Sequence, residues 1–471
     1  MTETTSPFLE YQWCRDEFAA AELEDARLNA RCGELAVQLA KQPNGPINRS
    51  CEDWADTKAA YRFFDNDKVT PERIQASHYE RTVERMSRHK RVLAVQDTSF
   101  VNYTPHPKTQ GLGEIGKKSQ NQRGFGIHST LAVTVKGLPQ GLLTQDFFTR
   151  PIGEPSHTPA ECQKLPIEEK ESYRWLQAFE QTIALAPPDV EVITVCDAEA
   201  DIYEMLTLAQ EKSASLLVRA SSNRVLVEDE FRKLWPKLEH QSRAGSYSIH
   251  VVGNNKRKAR TATVSVRFGQ VTFRPPWRPN GLKLPAVTYQ AILVKEENPP
   301  AGVDEPIEWL LLTNVPVPTF AAASEIIGWY CCRWQIELFH KVLKSGCRVE
   351  KCRMRTAERL FNFIALMSVI AWRLHWMTYV NRSCPDLPCT VALTTIEWEA
   401  LYIRIHKTHE LPGDVPTIYQ AIRWIAKLGG FLGRKSDGEP GLTTIWRGWQ
   451  RLRDIADTWY LVKERTNATC G

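Results

Sequence analysis

The chain has 471 residues, of which 42% are hydrophobic and 24% are charged, and its formal net charge is +5. This size suits two or three domains with a sizeable core, and the composition is ordinary for a globular protein. No uninterrupted apolar run of about 18 residues predicts a transmembrane helix, and residues 1–10 lack the pattern of a signal peptide. We therefore expect a cytoplasmic protein with reduced cysteines, no membrane partner and, from its weak basic excess, an anionic partner.

Residues 8–90 have the pattern of a mostly helical region, in which apolar residues are spaced among charged ones. The pattern is typical of a solvated helical bundle and is also compatible with a DNA-binding module. A short apolar and partly β-branched run follows at residues 92–95. It predicts a buried strand that ends at Asp97 and presents the carboxylate there.

The next segments predict an α/β unit. Its elements, in chain order, are a loop (111–126), two antiparallel strands (127–135 and 141–148), a helix (168–186), a strand (190–195), a helix (200–210) and a strand (215–218). The strand at 190–195 leads to Asp197, but Glu199 and Asp201 follow closely, and the pattern does not choose among these three carboxylates. The succession of strand, carboxylate, helix and strand is typical of an α/β architecture.

Residues 245–318 have a different residue pattern from the segments before them: apolar and polar residues alternate, and basic and Pro-rich turns separate the alternating stretches. This alternation predicts a β-rich insertion within the α/β unit. Helices resume at Ala323 and run to about Val380, and a mostly helical tail follows to the C-terminus. The pattern as a whole predicts an α/β core between two helical regions.

One predicted helix combines a carboxylate with a dense group of cations. At about 100° per residue, Arg333, Glu337 and Lys344 fall on one face, while an apolar face can pack on a core. Residues 331–360 contain three Glu and eight basic residues, namely Arg333, Lys341, Lys344, Arg348, Lys351, Arg353, Arg355 and Arg359. Such a density of positive charge suits the neutralisation of phosphates and favours a DNA-facing surface.

Asp97, Asp197 and Glu337 together suggest phosphodiester chemistry. Cleavage without a covalent intermediate commonly uses two divalent cations about 4 Å apart, and Mg²⁺ prefers carboxylate oxygens. One cation would activate water or a 3′-hydroxyl, and the other would stabilise the leaving oxygen. Three carboxylates from two strands and a helix could hold such a pair.

The spacing Tyr330-x2-Arg333-x3-Glu337-x6-Lys344 resembles the signature of the insertion-sequence-4 family of bacterial DDE transposases. Further similar segments are Gln38–Lys41, Ala60–Phe63, Val95–Ser99, Val195–Tyr203, Trp309–Thr313 and Leu428–Phe431, so the resemblance covers nearly the whole chain. It implies an α/β fold with an RNase H-like catalytic core, a β-rich insertion and flanking helical domains. It also selects Asp197 over Glu199 and Asp201 as the second catalytic carboxylate.

The resemblance implies roles for further residues. Asp97, Asp197 and Glu337 would be both the catalytic residues and the metal ligands, and Trp309 would stack on a base that is flipped out during hairpin formation. Without the resemblance, Trp309 in its apolar run is better interpreted as a core residue. The other implied DNA contacts are Tyr330, Arg333, Lys344, His340, Lys341, Arg219, Arg31 and Lys41.

The implied domains are a helical DNA-binding domain (1–75), an RNase H-like catalytic domain (76–380, with the insertion at about 240–318) and a helical dimerisation domain (381–471). The implied activity is cut-and-paste transposition with two Mg²⁺ ions, which Mn²⁺ could replace. The expected partners are transposon inverted repeats, target DNA and a second copy of the chain. The protein would be bacterial and associated with the nucleoid when bound to DNA.

Three other functions would account for parts of the same pattern. A catalytically silent DNA-binding protein derived from a transposase is the main alternative, although the intact set of three carboxylates argues against it. A plain two-metal nuclease would share the carboxylates without needing Trp309 or a dimerisation tail. An ATP-binding fold of the sugar kinase type would need Gly-rich loops after the strand-end aspartates, and none is present.

Overall fold

A computed structural model of the chain describes residues 11–51, 53–116, 118–153, 161, 164–227, 229–251, 260–278, 281–300, 303, 306–434 and 437–469. Its N-terminal helices are α1 (Gln12–Phe18), α2 (Ala26–Lys41), α3 (Ile47–Ser50), α4 (Trp54–Phe64) and α5 (Pro71–Met86). Side chains fix where two of them begin: Asp53 accepts a hydrogen bond from the Asp56 amide in α4, and Thr70 accepts one from Arg73 in α5. The helices agree with the pattern predicted for residues 8–90.

The described strands form one sheet of ten. They are β1 (Arg91–Asn102), β2 (Gly113–Ile115), β3 (Gln122–Thr134), β4 (Pro139–Phe148), β5 (Glu191–Cys196), β6 (Ser215–Arg219), β7 (Gly245–Val251), β8 (Arg260–Phe273), β9 (Val287–Glu296) and β10 (Glu308–Thr313). Their order is β2-β3-β1-β5-β6-β10-β9-β8-β7, and β4 pairs with β3. At the centre, β1, β5 and β6 run parallel, and the other pairs are antiparallel. The buried runs of the central strands fit a sheet covered on both faces.

Three helices connect or flank these strands: α6 (Tyr173–Leu185), α7 (Tyr203–Glu211) and α8 (Leu234–His240). The catalytic region continues through α9 (Phe320–Cys331), α10 (Trp334–Lys341) and α11 (Ala357–Ser383), and a five-residue π-helical turn, Val342–Gly346, extends α10. The C-terminal helices are α12 (Thr395–His406), α13 (Ile418–Leu428) and α14 (Leu442–Thr469). Together these elements give the mixed α/β architecture with flanking helices that the pattern predicted.

The structure corrects two details of the predicted elements. β1 does not end at Asp97 but continues to Asn102, because β3 pairs with it along its whole length. Residues 111–126 are not a plain loop, since they contain β2 and the first residues of β3. The predicted β-rich insertion continues the central sheet, because β10 pairs with β6.

Helix α11 lies in the middle of the protein. It is long and apolar enough to cross a membrane, yet 78% of its most apolar window is buried within the protein. Residues such as Ile364, Leu366 and Ile370 belong to the main core, which the N-terminal helices, the sheet and the C-terminal helices share. The apolar character of α11 is therefore accounted for by packing in the core.

Candidate active site

The register of the sheet places Asp97 and Asp197 side by side. The parallel pairing of β1 with β5 ends at Val95 and Val195, so each aspartate follows two residues beyond the last pair. Asp97 remains in β1 opposite Ser129 of β3. Asp197 has left β5 and caps a short 3₁₀ turn, where its carboxylate accepts a hydrogen bond of 2.8 Å from the Glu199 amide. Both carboxylates thus lie at the carboxyl end of the parallel strands.

Helix α10 brings Glu337 to the same place. Ile336 and Phe339 are fully buried and hold the helix on the sheet, while Glu337 is turned outward and is 29% exposed. An Arg333 Nη1 atom lies 2.7 Å from Glu337 Oε1, one turn earlier along the chain. Arg333 is only 14% exposed, so this ion pair is partly shielded from water.

The negative charges of Asp97 and Asp197 act on the neighbouring carboxyl groups. Burial is the main cause that raises the pKa of Glu337, and the negative charges of Asp97 and Asp197 raise it further. Burial likewise raises the pKa of Asp197, with a further contribution from Asp97 and opposing ones from Arg333 and Arg219. A group of carboxylates that repel one another at a sheet edge favours the binding of a cation.

The two alternatives to Asp197 that the sequence left open, Glu199 and Asp201, differ from it in their surroundings. Asp201 is buried and forms an ion pair of 2.5 Å with Arg224, and it also accepts backbone hydrogen bonds from Ser221 and Ser222. These contacts fix the loop after β6 and leave Asp201 no free oxygen to turn toward Asp97. Glu199 lies at the surface beside the site, where partial loss of contact with water raises its pKa and the charge of Asp197 raises it further.

Three further predicted residues gather around Asp197. Arg219, at the end of β6, donates a hydrogen bond of 3.1 Å to the Glu308 carbonyl, and its charge partly opposes the burial that raises the pKa of Asp197 and of Tyr330. The rings of Trp309 and Tyr330 pack edge to face with their centres 5.4 Å apart. Trp309 is only partly buried, so it is not the enclosed core residue that its apolar neighbours alone suggest.

The two predicted lysines follow Glu337 along the chain. Lys341 is exposed at the end of α10. Lys344 lies in the π turn and its Nζ donates to the Phe100 carbonyl at 2.9 Å and to Ser99 Oγ at 3.3 Å. A π turn shifts the side chains that follow it around the helix axis, and such turns are frequent at functional sites. Lys344 is thereby placed beside the segment of β1 that follows Asp97.

His340 points inward rather than toward a surface. It is 4% exposed, its Nδ1 atom lies 3.5 Å from Asp97 Oδ2, and its Nε2 atom lies 3.3 Å from Ser129 Oγ. The contacts of His340 in this structure are therefore with the catalytic region itself. Ser129 was not singled out from the sequence, and the only signal for it was a run of polar residues, His128 to Thr130, within an apolar strand.

Arg31 and Lys41 lie apart from this cluster, on α2 of the N-terminal helices. Arg31 forms ion pairs with Asp56 at 3.0 Å and with Glu34 at 3.4 Å. Lys41 is exposed at the last turn of the same helix. The structure thus brings together the predicted residues of the catalytic region and keeps these two on a separate helical surface.

Family models match three successive parts of the chain. A transposase DNA-binding model matches residues 10–69, a transposase DDE domain matches 174–374, and a transposase Tn5 dimerisation domain matches 369–463. The DDE match contains Asp197 and Glu337, while Asp97 precedes it and reaches the site through the pairing of β1 with β5.

The matches establish the main partners and the type of catalytic core. The DNA-binding match identifies DNA as a partner, and the dimerisation match identifies a second copy of the chain. The DDE match identifies the central sheet as an RNase H-like core and the protein as a DNA-processing enzyme. From these three domains, in this order, we conclude that the chain is a Tn5-like DDE transposase of the insertion-sequence-4 family.

Proposed function

We propose that this transposase moves its element by a cut-and-paste route. It would bind the inverted repeats at the transposon ends, cleave them by phosphodiester hydrolysis with a hairpin intermediate, and transfer the 3′ ends into target DNA. The observation that supports this most strongly is the placement of Asp97, Asp197 and Glu337 at one end of the parallel strands, beside the guanidinium of Arg333.

The chemistry of these residues fits two Mg²⁺ ions, or Mn²⁺ in their place. The donor set consists of carboxylate oxygens, and burial together with the negative charge of neighbouring aspartates raises the pKa of Asp197 and of Glu337, which supports the binding of a cation there. Among the described residues, no three His, Cys, Asp or Glu side chains converge closely enough to enclose a metal ion. Glu337 pairs with Arg333 instead, so we expect Glu337 to leave Arg333 when it binds a cation.

Bound cations would make a water or hydroxyl oxygen a stronger nucleophile and stabilise the leaving oxygen. The protein side chains would position the DNA for this reaction. Arg333, released from Glu337, and Lys344 would bind phosphates around the scissile bond, together with Tyr330, which lies beside Arg333, and Arg219 at the end of β6. Lys341, exposed on the same helix, and Arg31 and Lys41 of α2 would extend the contact along the transposon end.

Trp309 would stack on the base that hairpin formation displaces, because its ring is partly exposed next to Tyr330 and Arg219. Replacing Trp309 by Ala should leave the first nick intact and reduce the yield of hairpin, measured on a denaturing gel. Trp277→Ala, at an 81% exposed Trp of the same insertion, is the matched control. An unchanged hairpin yield in Trp309→Ala would assign this residue to packing alone.

The proposed division of the chain is a DNA-binding domain (1–75), a catalytic domain (76–380) and a dimerisation domain (381–471). Residues 76–90 include most of α5, which connects the first of these to the sheet. We expect the protein in the bacterial cytoplasm, bound to the nucleoid when it holds DNA, because its substrates are there.

The purified chain, incubated with Mg²⁺ and labelled duplexes of its element's ends, tests the proposal directly. A 3′ nick followed by a hairpin is the expected result, and Glu337→Ala should bind the ends without nicking them. Binding without cleavage by the wild-type chain would favour the alternative, a silent DNA-binding derivative. Residual nicking by Glu337→Ala would contradict the metal-binding role of that carboxylate.

A further inference from the structure

A row of buried polar side chains leads away from Asp97 into the core. It runs from His340 on α10 to Ser129 on β3, Gln145 on β4 and Gln75 on α5. All four are nearly inaccessible, with exposures of 4%, 0%, 6% and 0%. Burying polar groups costs stability unless they are hydrogen-bonded to one another. A continuous buried row of them is therefore unusual in a core and suggests that it serves a function.

The row begins at a backbone carbonyl, which can accept a hydrogen bond but cannot donate one. The backbone carbonyl of Ala365, in α11, accepts a hydrogen bond of 3.0 Å from Gln75 Nε2. The side-chain oxygen of Gln75 accepts from the Tyr79 hydroxyl at 2.6 Å. These two partners fix the orientation of the Gln75 amide, because its nitrogen must face the carbonyl.

The same orientation is then imposed on each neighbour in turn. Gln75 Nε2 donates to Gln145 Oε1 at 2.8 Å, so the Gln145 nitrogen faces the other way and donates to Ser129 Oγ at 3.0 Å. Ser129 Oγ still has its hydrogen to donate, and we assign that hydrogen to His340 Nε2, 3.3 Å away, because a neutral ring protonated on Nε2 would turn the lone pair of Nδ1 toward the Asp97 carboxylate. An imidazole nitrogen that accepts a hydrogen bond is unprotonated, and in a neutral ring the proton is then on Nδ1.

The Nδ1 atom of His340 faces Asp97. It is buried, it has no hydrogen-bond partner among the described residues, and Asp97 Oδ2 lies 3.5 Å from it. This separation is longer than an ordinary hydrogen bond, and such contacts often shorten once the reacting complex forms. The nearest acceptor for the buried N–H is therefore the carboxylate that we assign to the metal site.

We propose that Gln75, Gln145, Ser129 and His340 form a directional hydrogen-bond chain that holds His340 as the Nδ1–H tautomer and positions the Asp97 carboxylate for cation binding. His340 is then a positioning residue rather than a DNA contact. Outer partners of this kind orient metal ligands, and their loss typically lowers metal affinity about 10- to 100-fold. The proposal rests on the function proposed above, in which Asp97 binds the cation.

Measurements of Mn²⁺ affinity in full-length variants test the proposed hydrogen-bond chain. Binding of Mn²⁺ is measured by electron paramagnetic resonance of the free ion, and thermal unfolding verifies that each variant is folded. Ser129→Ala should weaken Mn²⁺ binding by about tenfold, since it removes the donor to His340 Nε2. Thr144→Val is the matched control, because Thr144 bonds to Thr130 on the same two strands, is equally buried and does not lead to Asp97.

Two substitutions of His340 separate positioning from packing. The amide nitrogen of Asn takes the place of Nδ1, while that of Gln takes the place of Nε2. His340→Asn should therefore retain more Mn²⁺ affinity than His340→Gln, although Gln is closer to His in volume. If packing alone mattered, the order would be reversed, and that result would overturn the proposal.

The outcomes also distinguish a failure of this proposal from a failure of the proposed function, in which Asp97 binds the cation. If Asp97→Asn binds Mn²⁺ as tightly as the wild type, the assignment of Asp97 to the metal site is wrong. If Asp97→Asn loses affinity while Ser129→Ala and His340→Gln do not, the metal site stands and the hydrogen-bond chain is refuted. An equal loss in Thr144→Val would also refute it, because the effect would then follow from any disturbance of these strands.

Discussion

Asp197 and Glu337 hold their charges at a cost to the folded protein. Burial and the negative charge of neighbouring aspartates raise the pKa of each, so the folded chain binds a proton more tightly at these groups than the unfolded chain does. The free energy of unfolding then falls as pH rises from the ordinary pKa of these carboxyl groups through their raised pKa in the folded chain. Such a penalty is what a site prepared for a divalent cation is expected to show in the absence of that cation.

We predict that Asp197→Asn raises the unfolding temperature at neutral pH in the presence of a chelator. The gain should vanish below about pH 4, the ordinary pKa of an aspartate, because both states of the wild-type chain are then protonated. Thermal unfolding across a pH series measures the difference. A constant difference at all pH values would mean that the substitution acts through packing rather than through charge.

Glu17 provides a control with the opposite sign. Its carboxylate, on α1, pairs with His78 and Arg85, and these partners outweigh burial and lower its pKa to about 2. Its stabilising effect is present at neutral pH and is lost only as pH falls toward that value. Glu17→Gln should therefore destabilise the folded chain at neutral pH, by roughly 3 kcal/mol, since it removes the buried negative charge that pairs with Arg85 and His78.

At the scale of elements, the sequence predicted the central strands well and their surroundings less well. Apolar β-branched runs before Asp97 and Asp197 identify two buried strands, but nothing local in the sequence specifies that they pair in parallel with Val95 opposite Val195. That register, which brings the aspartates together, depends on contacts between residues about a hundred positions apart. It became predictable only through the family resemblance.

The buried polar row was missed for a similar reason. His128, Ser129 and Thr130 interrupt an apolar strand, and Gln145 does the same in the next one. In a sequence, such residues are typical of a strand with one solvated face. Their burial follows from α5, α6 and α11, which cover both faces of the sheet at this point, and the position of those helices is a property of the tertiary fold.

Helices α13 and α14 cross at a pair of glycines. A β-carbon on Gly448 would lie 1.7 Å from the Ile425 carbonyl oxygen, and one on Gly429 would lie 1.9 Å from that of Thr444. We predict that Gly448→Ala forces the helices apart and costs about 1–3 kcal/mol, as overpacking in a core does. Thermal unfolding and sedimentation would report the loss of stability and any loss of the dimer.

Gly441→Ala is the matched control, because a β-carbon there meets nothing within 4 Å. It should leave both the unfolding temperature and the dimer unchanged. Equal stability of the two variants would show that the helices can separate at Gly448 without cost.

For the whole molecule, the DNA-binding and catalytic matches lie at opposite sides of α5 in the chain, and both are predicted to contact phosphates. Affinity for the transposon end should fall steeply with salt, with a slope of about 0.9 for each phosphate neutralised. Lys41→Ala should lower that slope by about one, as measured by filter binding at several salt concentrations.

Lys427→Ala, at an exposed lysine of α13 outside the proposed DNA surface, should leave the slope as it is. A flat dependence for the wild-type chain would contradict a phosphate-dominated interface. A slope that is unchanged in Lys41→Ala would move the end contact away from this part of α2.

The π turn after Glu337 also limits how domains can be exchanged among transposases. A β-carbon on Gly346 would lie 0.7 Å from Cη2 of Trp446, a residue of α14, so the indole occupies the space that any side chain at Gly346 would need. A chimera that joins this catalytic core to C-terminal helices from another source would leave a cavity or create a clash beside Lys344, unless both positions are transferred together. Functional chimeras should therefore be recovered only with matched residues at 346 and 446.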